Sequence, residues 1–144
     1  MKIDYDKGLK GYSDGDAVIH SVIDSILSAA HLGNIGMLFP DSDKKYKNIK
    51  STILLERTSD IIKKGGYAII NISAVIIAQE PRLYGYLNEM EQIMAKILDL
   101  DKHDISIAAK TNDTMGFIGR KEGIAAHSVC LMRKSSSSAK NESR

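Results

Sequence analysis

Apolar residues recur along this chain at two periods, and the alternation between them lays out the elements. From Asp14 to His31 the positions Val18, Ile19, Val22, Ile23, Ile26, Leu27 and Ala30 follow a helical period over a wide arc. That spacing predicts a helix with most of its surface buried. Ser13 or Asp14 can cap it, Asp16 suits its first turn, and Gly33 fits its stop. The loop GNIGMLFPDSD follows, with two glycines and a proline. Ile49, Ile53, Leu54, Ile61 and Ile62 mark a second helix that ends at KKGG. YAIINISAVIIAQ is rich in β-branched residues and bounded by Gly66 and Pro81, so it predicts a strand. Pro81 suits the first turn of a third helix, whose apolar stripe is Leu83, Leu87, Met90, Met94 and Leu98. DISIAAK predicts a short strand, TNDTMGFIGRKEG a glycine-rich loop and IAAHSVCLM a last strand, with KIDYDKGL a short strand in front of everything. The order helix, helix, strand, helix, strand, strand predicts an α+β fold: a mixed β-sheet with helices packed on one face.

Composition narrows the function classes. The 144 residues, 43% hydrophobic and 26% charged, predict one domain over 1–132 with a sizeable core. Cys130 is the single cysteine, so a reducing, cytoplasmic setting is expected. MKIDYDKG carries acids and no apolar run, which does not read as a signal peptide, and the apolar stretch 67–78 is too short to span a bilayer. The formal net charge of +2 misleads. Four of the 20 basic residues and one of the 18 acidic ones lie in the Ser-rich segment 133–144, leaving 16 against 17 elsewhere. That segment predicts a disordered basic tail. KKYKNIK, the one internal basic run, predicts a solvated helix face. Neither run offers the basic surface with aromatic or glycine-rich readers that nucleic acid needs. No nucleic acid and no membrane partner is expected.

One constellation points to chemistry. On the first helix Asp16, His20 and Asp24 fall at i, i+4 and i+8, a narrow polar line with side chains roughly 6 Å apart. Carboxylates beside an imidazole can orient it as a metal ligand. A hydrogen-bonded core histidine is the plainer reading. A catalytic zinc needs about three protein ligands, and HxxxH, HExxH and CxxC are all absent. His31, His103 and His127 lie far off in sequence, so spacing alone reaches one ligand.

SDGDAVIHSVIDSILSAAHLGNIGMLFPDSD resembles the signature region of the 2-C-methyl-D-erythritol 2,4-cyclodiphosphate synthase family. The likeness continues through IIAQEPRL and KTNDTMGFIGRKEGIAAHSV. It implies a homotrimer with active sites between subunits. It also implies the conversion of 4-diphosphocytidyl-2-C-methyl-D-erythritol 2-phosphate, a small nucleotide-linked substrate, to the cyclic diphosphate with release of CMP. By resemblance, His20 is a zinc ligand, and Asp113 takes the place of a glutamate holding magnesium or manganese. Ser13 contacts phosphate, and Thr111 stabilises the transition state with Tyr12 beside the reacting phosphates. Asn34, Ile35, Gly36, Phe39, Pro40, Asp41, Ser42 and Asp43 surround the methylerythritol hydroxyls. Ala78, Gln79, Glu80, Pro81, Arg82, Leu83 and Tyr84 form the cytidine pocket. Lys110, Asn112, Phe117 and Arg120 complete the phosphate and nucleotide contacts.

Three departures accompany the likeness. The family's Asp-x-His strand, which supplies two further zinc ligands, has no counterpart here, so the zinc site is expected to be incomplete. Tyr12 stands where the family has a histidine; its hydroxyl donates a hydrogen bond but carries no positive charge. Asn34 replaces an aspartate. The alternative expectation is an inactive trimeric scaffold, or a cytidine-nucleotide-binding relative that has lost zinc.

Overall fold

The computed structural model describes residues 1–135. Five helices and three strands follow one another as α1 (Ala17–Ala29), α2 (Ile35–Leu38), α3 (Ser51–Lys64), β1 (Tyr67–Ile77), α4 (Leu87–Leu98), β2 (Ile105–Lys110), α5 (Gly116–Gly119) and β3 (Ala125–Lys134). The strands form one mixed sheet in the order β2-β1-β3. β1 runs parallel to β2, with Ile72 opposite Ile105 and Ile77 opposite Lys110, and antiparallel to β3, with Ile72 opposite Cys130. A parallel pair needs a crossover, and α4 supplies it between β1 and β2.

The expected α+β architecture is what forms, because the two hydrophobic periods meet on one side of the sheet. Ile72, Ala74 and Ile76 of β1, with Ile105 and Ile107 of β2, are buried against α1, α3 and α4. Val22, Ile23, Ile26 and Leu27 make α1 the most enclosed helix, and Leu55 and Ile62 of α3 complete the centre. Each such side chain contributes about 1.5–3 kcal/mol relative to exposure. Among the described residues no helix covers the opposite face. There Val129 and Leu131 are 72% and 55% exposed, and Ile70 stands out at a register shift between Ile69 and Asn71.

Several local expectations are corrected. KIDYDKGL pairs with no strand; it runs irregularly beside the body, tied by the Asp4 backbone N–H to the Tyr86 hydroxyl and by the Tyr5 hydroxyl to Glu80. Asp16, not Ser13 or Asp14, caps α1, accepting a hydrogen bond from the Ile19 N–H at 2.9 Å. Pro81 does not open the third helix. It follows a cis Glu80–Pro81 bond in a bend, and α4 starts at Leu87 after a 3-10 turn at Tyr84–Tyr86. KKYKNIK is not a helix face: Lys44–Tyr46 make a 3-10 turn whose Tyr46 ring is buried edge-on against Phe39. β3 runs two residues into the expected tail, with Arg133 opposite Ala68 and Lys134 opposite Tyr67. The remainder of that tail, 136–144, lies outside the described residues.

Candidate functional site

Two polar clusters stand at different places in the fold. The first is a cleft of about 520 Å³ at the N-terminal end of α1. Tyr12, Ser13 and His20 line it, with Ile35 and Gly36 of α2, Phe39 and Asp41 beyond it, and Leu9 and Ile124 at its rim. α2 is placed by two side-chain bonds: the Asn34 carboxamide accepts from the Met37 N–H at 3.0 Å, and Asp24 accepts from the Ile35 N–H at 2.7 Å. Asn34, Pro40, Ser42 and Asp43 therefore sit around the cleft without lining it. Asp43 is committed to Lys45, at 2.7 Å, while the Tyr12 hydroxyl reaches the Asp43 carbonyl at 3.5 Å.

His20 is held differently from the expectation. The acids at i−4 and i+4 do not orient its ring, because Asp16 is the helix cap and Asp24 anchors α2. Its Nε2 instead lies 2.8 Å from the Ser51 Oγ and 3.1 Å from the Ser13 Oγ. Ser51, wholly buried at the start of α3, also donates its hydroxyl to Asp14, and its backbone N–H donates to the same carboxylate at 2.8 Å. Sequence reasoning missed Ser51. It lies 31 residues from His20 and looks like an ordinary helix-start serine; only tertiary packing assigns it to the imidazole.

The carboxylates beside it divide by environment. Burial pushes Asp14 up, but the Ser51 hydroxyl, the Ser51 and Asp16 backbone N–H groups and the His20 charge together hold it below the usual carboxylate range. Asp16 is raised by burial, only partly offset by its bond to the Ile19 N–H. A raised folded-state pKa means that folding favours the protonated form, so the Asp16 contribution falls as pH rises through that value. Asp16→Asn keeps the cap without the charge and is expected to melt no lower than the parent at neutral pH. Asp16→Ala loses the cap and about 1 kcal/mol. Thermal melts across the acid range check both.

The second cluster lies at the C-terminal ends of β1 and β2. The Ala78 N–H donates to the Lys110 carbonyl at 2.9 Å, which brings the two segments side by side. Gln79 accepts from the Thr114 N–H at 3.1 Å, the Thr111 hydroxyl donates to Asp113 at 3.2 Å, and the Asn112 amide donates to the Met115 carbonyl at 2.8 Å. Asp113 and Thr114 take positive φ, 49° and 62°. Gly119 lets this turn close: a Cβ there would lie on the Thr114 backbone carbonyl. Glu80 meets Lys121 at 2.6 Å, and that ammonium holds its carboxyl below the usual range. Arg120 pairs with Glu122 through two bonds of 2.9 and 3.2 Å. Phe117 and Tyr84 are 54% and 89% exposed, Arg82 lies beside the bend, and Pro81 and Leu83 flank a second cavity under residues 1–9. The sequence-derived candidates thus fall into two sets, and no residue of 78–84 or 110–120 lines the His20 cleft.

The donors present fit one of the metals the resemblance implies and not the other. Among the described residues no three His, Cys, Asp or Glu side chains come together. His20 supplies one donor, and one imidazole does not fit a zinc centre. Asp113 is exposed, with one oxygen taken by Thr111. A single carboxylate of that kind fits magnesium or manganese, which complete their shell with water and substrate phosphates.

Residues 1–133 match the YgbB family. The chain belongs to the YgbB family. A 2-C-methyl-D-erythritol 2,4-cyclodiphosphate synthase from Brachyspira hyodysenteriae is 51% identical over 134 residues, 93% of this chain and 85% of the relative. Among solved structures, the bifunctional IspDF from Campylobacter jejuni superposes with a TM-score of 0.86 at 44% identity, covering 89% of this chain and 35% of that one. IspF from Plasmodium falciparum in complex with CDP gives 0.77 at 32% identity, covering 87% and 75%. Membership accounts for the joint occurrence of both clusters in one YgbB chain: the motifs that each carries are spread over nearly the whole matched length. No helix among the described residues is long and apolar enough to cross a membrane.

Proposed function

We propose that this chain is a phosphorus–oxygen lyase of isoprenoid biosynthesis, acting in the cytoplasm. It cyclises 4-diphosphocytidyl-2-C-methyl-D-erythritol 2-phosphate to 2-C-methyl-D-erythritol 2,4-cyclodiphosphate and releases CMP. The observation that carries this is the 51% identity to a synthase of that name over 93% of the chain. An oxygen of the 2-phosphate forms a bond to the β-phosphorus, the bond from that phosphorus to the oxygen bridging to the cytidylyl phosphate breaks, and that oxygen leaves on CMP. The nucleophile is already part of the substrate, so the work of the site is to fold it. Holding both groups in one molecule is worth roughly 7–11 kcal/mol.

The cleft residues Tyr12, Ser13 and Asp41 are of the type that grips hydroxyls and phosphate. Ala78–Tyr84 present backbone groups to the base, while Lys110 and Arg120 neutralise phosphate and Thr111 donates to it. Asp113 would hold magnesium or manganese, which when bound shields the charge on the phosphates. The two clusters stand apart within one chain, and we infer a homotrimer in which the Thr111 loop of one copy closes on the His20 cleft of the next. The exposed sheet face is the surface that would join the copies.

The test is CMP release from the substrate, with the cyclic product followed by phosphorus NMR. Stoichiometric appearance of both supports the reading. The lone imidazole at the cleft favours a second one, a nucleotide-binding scaffold; CDP binding without turnover would establish that instead and overturn the enzyme.

A further inference from the structure

We infer that Ser51 and Asp14 form a relay that fixes the His20 ring in its Nε2–H tautomer, so that the Nδ1 lone pair faces the cleft. The direction of the relay follows from which group can donate. The Asp14 carboxylate, held below the usual range, is an acceptor only. It already takes the Ser51 backbone N–H at 2.8 Å, and the one proton of the Ser51 hydroxyl goes to its other oxygen. Having given that proton away, the Ser51 oxygen can only accept from the ring nitrogen 2.8 Å from it. The hydrogen therefore sits on Nε2, within reach of the Ser13 Oγ as well, at 3.1 Å. A neutral imidazole carries one ring hydrogen, so Nδ1 is left with its electron pair.

The surroundings agree. No hydrogen bond reaches Nδ1 from the described residues, yet no buried side-chain nitrogen or oxygen among them lacks a partner. Nδ1 is therefore open to solvent, and His20 lines the cleft. Ser51 is fully buried and cannot reach a ligand itself. It is a positioning residue acting through His20. The consequence for turnover rests on the function proposed above; the tautomer does not.

The experiment uses the full chain with labelled histidine, at a pH about two units above the ordinary histidine pKa of ~6.5. Long-range nitrogen–proton NMR correlations distinguish a protonated ring nitrogen from an unprotonated one and tell Nε2 from Nδ1. The parent is expected to show Nε2 protonated and Nδ1 not. Asp14→Asn should reverse this. The 2.8 Å bond from the Ser51 N–H keeps the amide oxygen on its side, against a weaker 3.3 Å bond from the Asp16 N–H, and turns the amide nitrogen toward the Ser51 hydroxyl. Ser51 then donates to the ring, and the hydrogen moves to Nδ1. Ser51→Ala should give a mixture, and Ser13→Ala should keep the parental pattern. CMP release should fall by about a hundredfold or more in Asp14→Asn, as loss of the right imidazole tautomer does elsewhere. A parent protonated on Nδ1, or a folded Asp14→Asn variant with the parental pattern, would overturn the relay. Because the NMR readout needs no substrate, a chain without turnover can still pass or fail it.

Discussion

Two inactive variants, His20→Ala and Thr111→Ala, are expected to restore activity to each other when co-expressed. Alone, each should lose about a hundredfold or more in CMP release, Thr111→Ala because it deletes a donor to charge in the transition state and His20→Ala because it removes the imidazole held at the cleft. The reasoning for the mixture is geometric. His20 lines the cleft at the start of α1, Thr111 follows β2, and nothing from 110–120 reaches that cleft within one chain. If each site takes His20 from one copy and Thr111 from the next, a chain carrying Thr111→Ala followed by one carrying His20→Ala builds an intact site. Random assembly of equal amounts around a closed ring makes about one quarter of the sites intact. Selecting particles that carry both affinity tags removes the uniform rings, and each mixed ring of three has one intact junction, so activity of about one third of the parent's is the expected result there. Mixed particles with no more activity than either parent variant would mean that both groups act within one chain, and the proposed assembly would fail.

The sequence made the framework legible where a single period ran unbroken. The apolar arc from Val18 to Ala30 became α1, and the β-branched run after Gly66 became β1, because burial on one side of the sheet was enough to fix both. It was less informative where a side chain had a choice of partners. Asp16 and Asp24 flank His20 on paper, yet each is drawn to a backbone N–H that would otherwise go unpaired, one at the helix start and one at Ile35. That leaves the imidazole to Ser51, a contact made only when α3 packs on α1. KKYKNIK misled for a related reason: its lysines are solvated as expected, but Tyr46 among them is pulled into the core beside Phe39. Pro81 fitted a helix start by type, while the bend it occupies is set by Ala78 pairing with Lys110 and by Glu80 meeting Lys121. The motifs that identify the family were readable because they recur in order. The separation of the two clusters was not readable, since no local pattern records which end of the sheet a loop leaves from.

A charge placed on the bare face of the sheet should separate the copies without unfolding them. Val129, opposite Ser73 in the β1–β3 register, is 72% exposed in the single chain, and Leu131, opposite Asn71, is 55% exposed. Neither supports the core on the other side, so Val129→Asp should leave the circular dichroism spectrum of the monomer intact. In a three-fold assembly the same change acts three times around one axis. Each copy loses the burial of one valine, about 1.5–3 kcal/mol, and gains a carboxylate facing two like charges in a place with little water. A carboxylate moved out of water without a partner costs several kcal/mol more, so the assembly constant should fall by many orders of magnitude. Sedimentation should find a trimer for the parent and a folded monomer for the variant, and CMP release should vanish along with the trimer. Val129→Thr, nearly the same shape and uncharged, should remain trimeric and active. A Val129→Asp protein that stayed trimeric would place the contact elsewhere. One that became monomeric yet released CMP at the parental rate would show that a single chain holds everything the reaction requires.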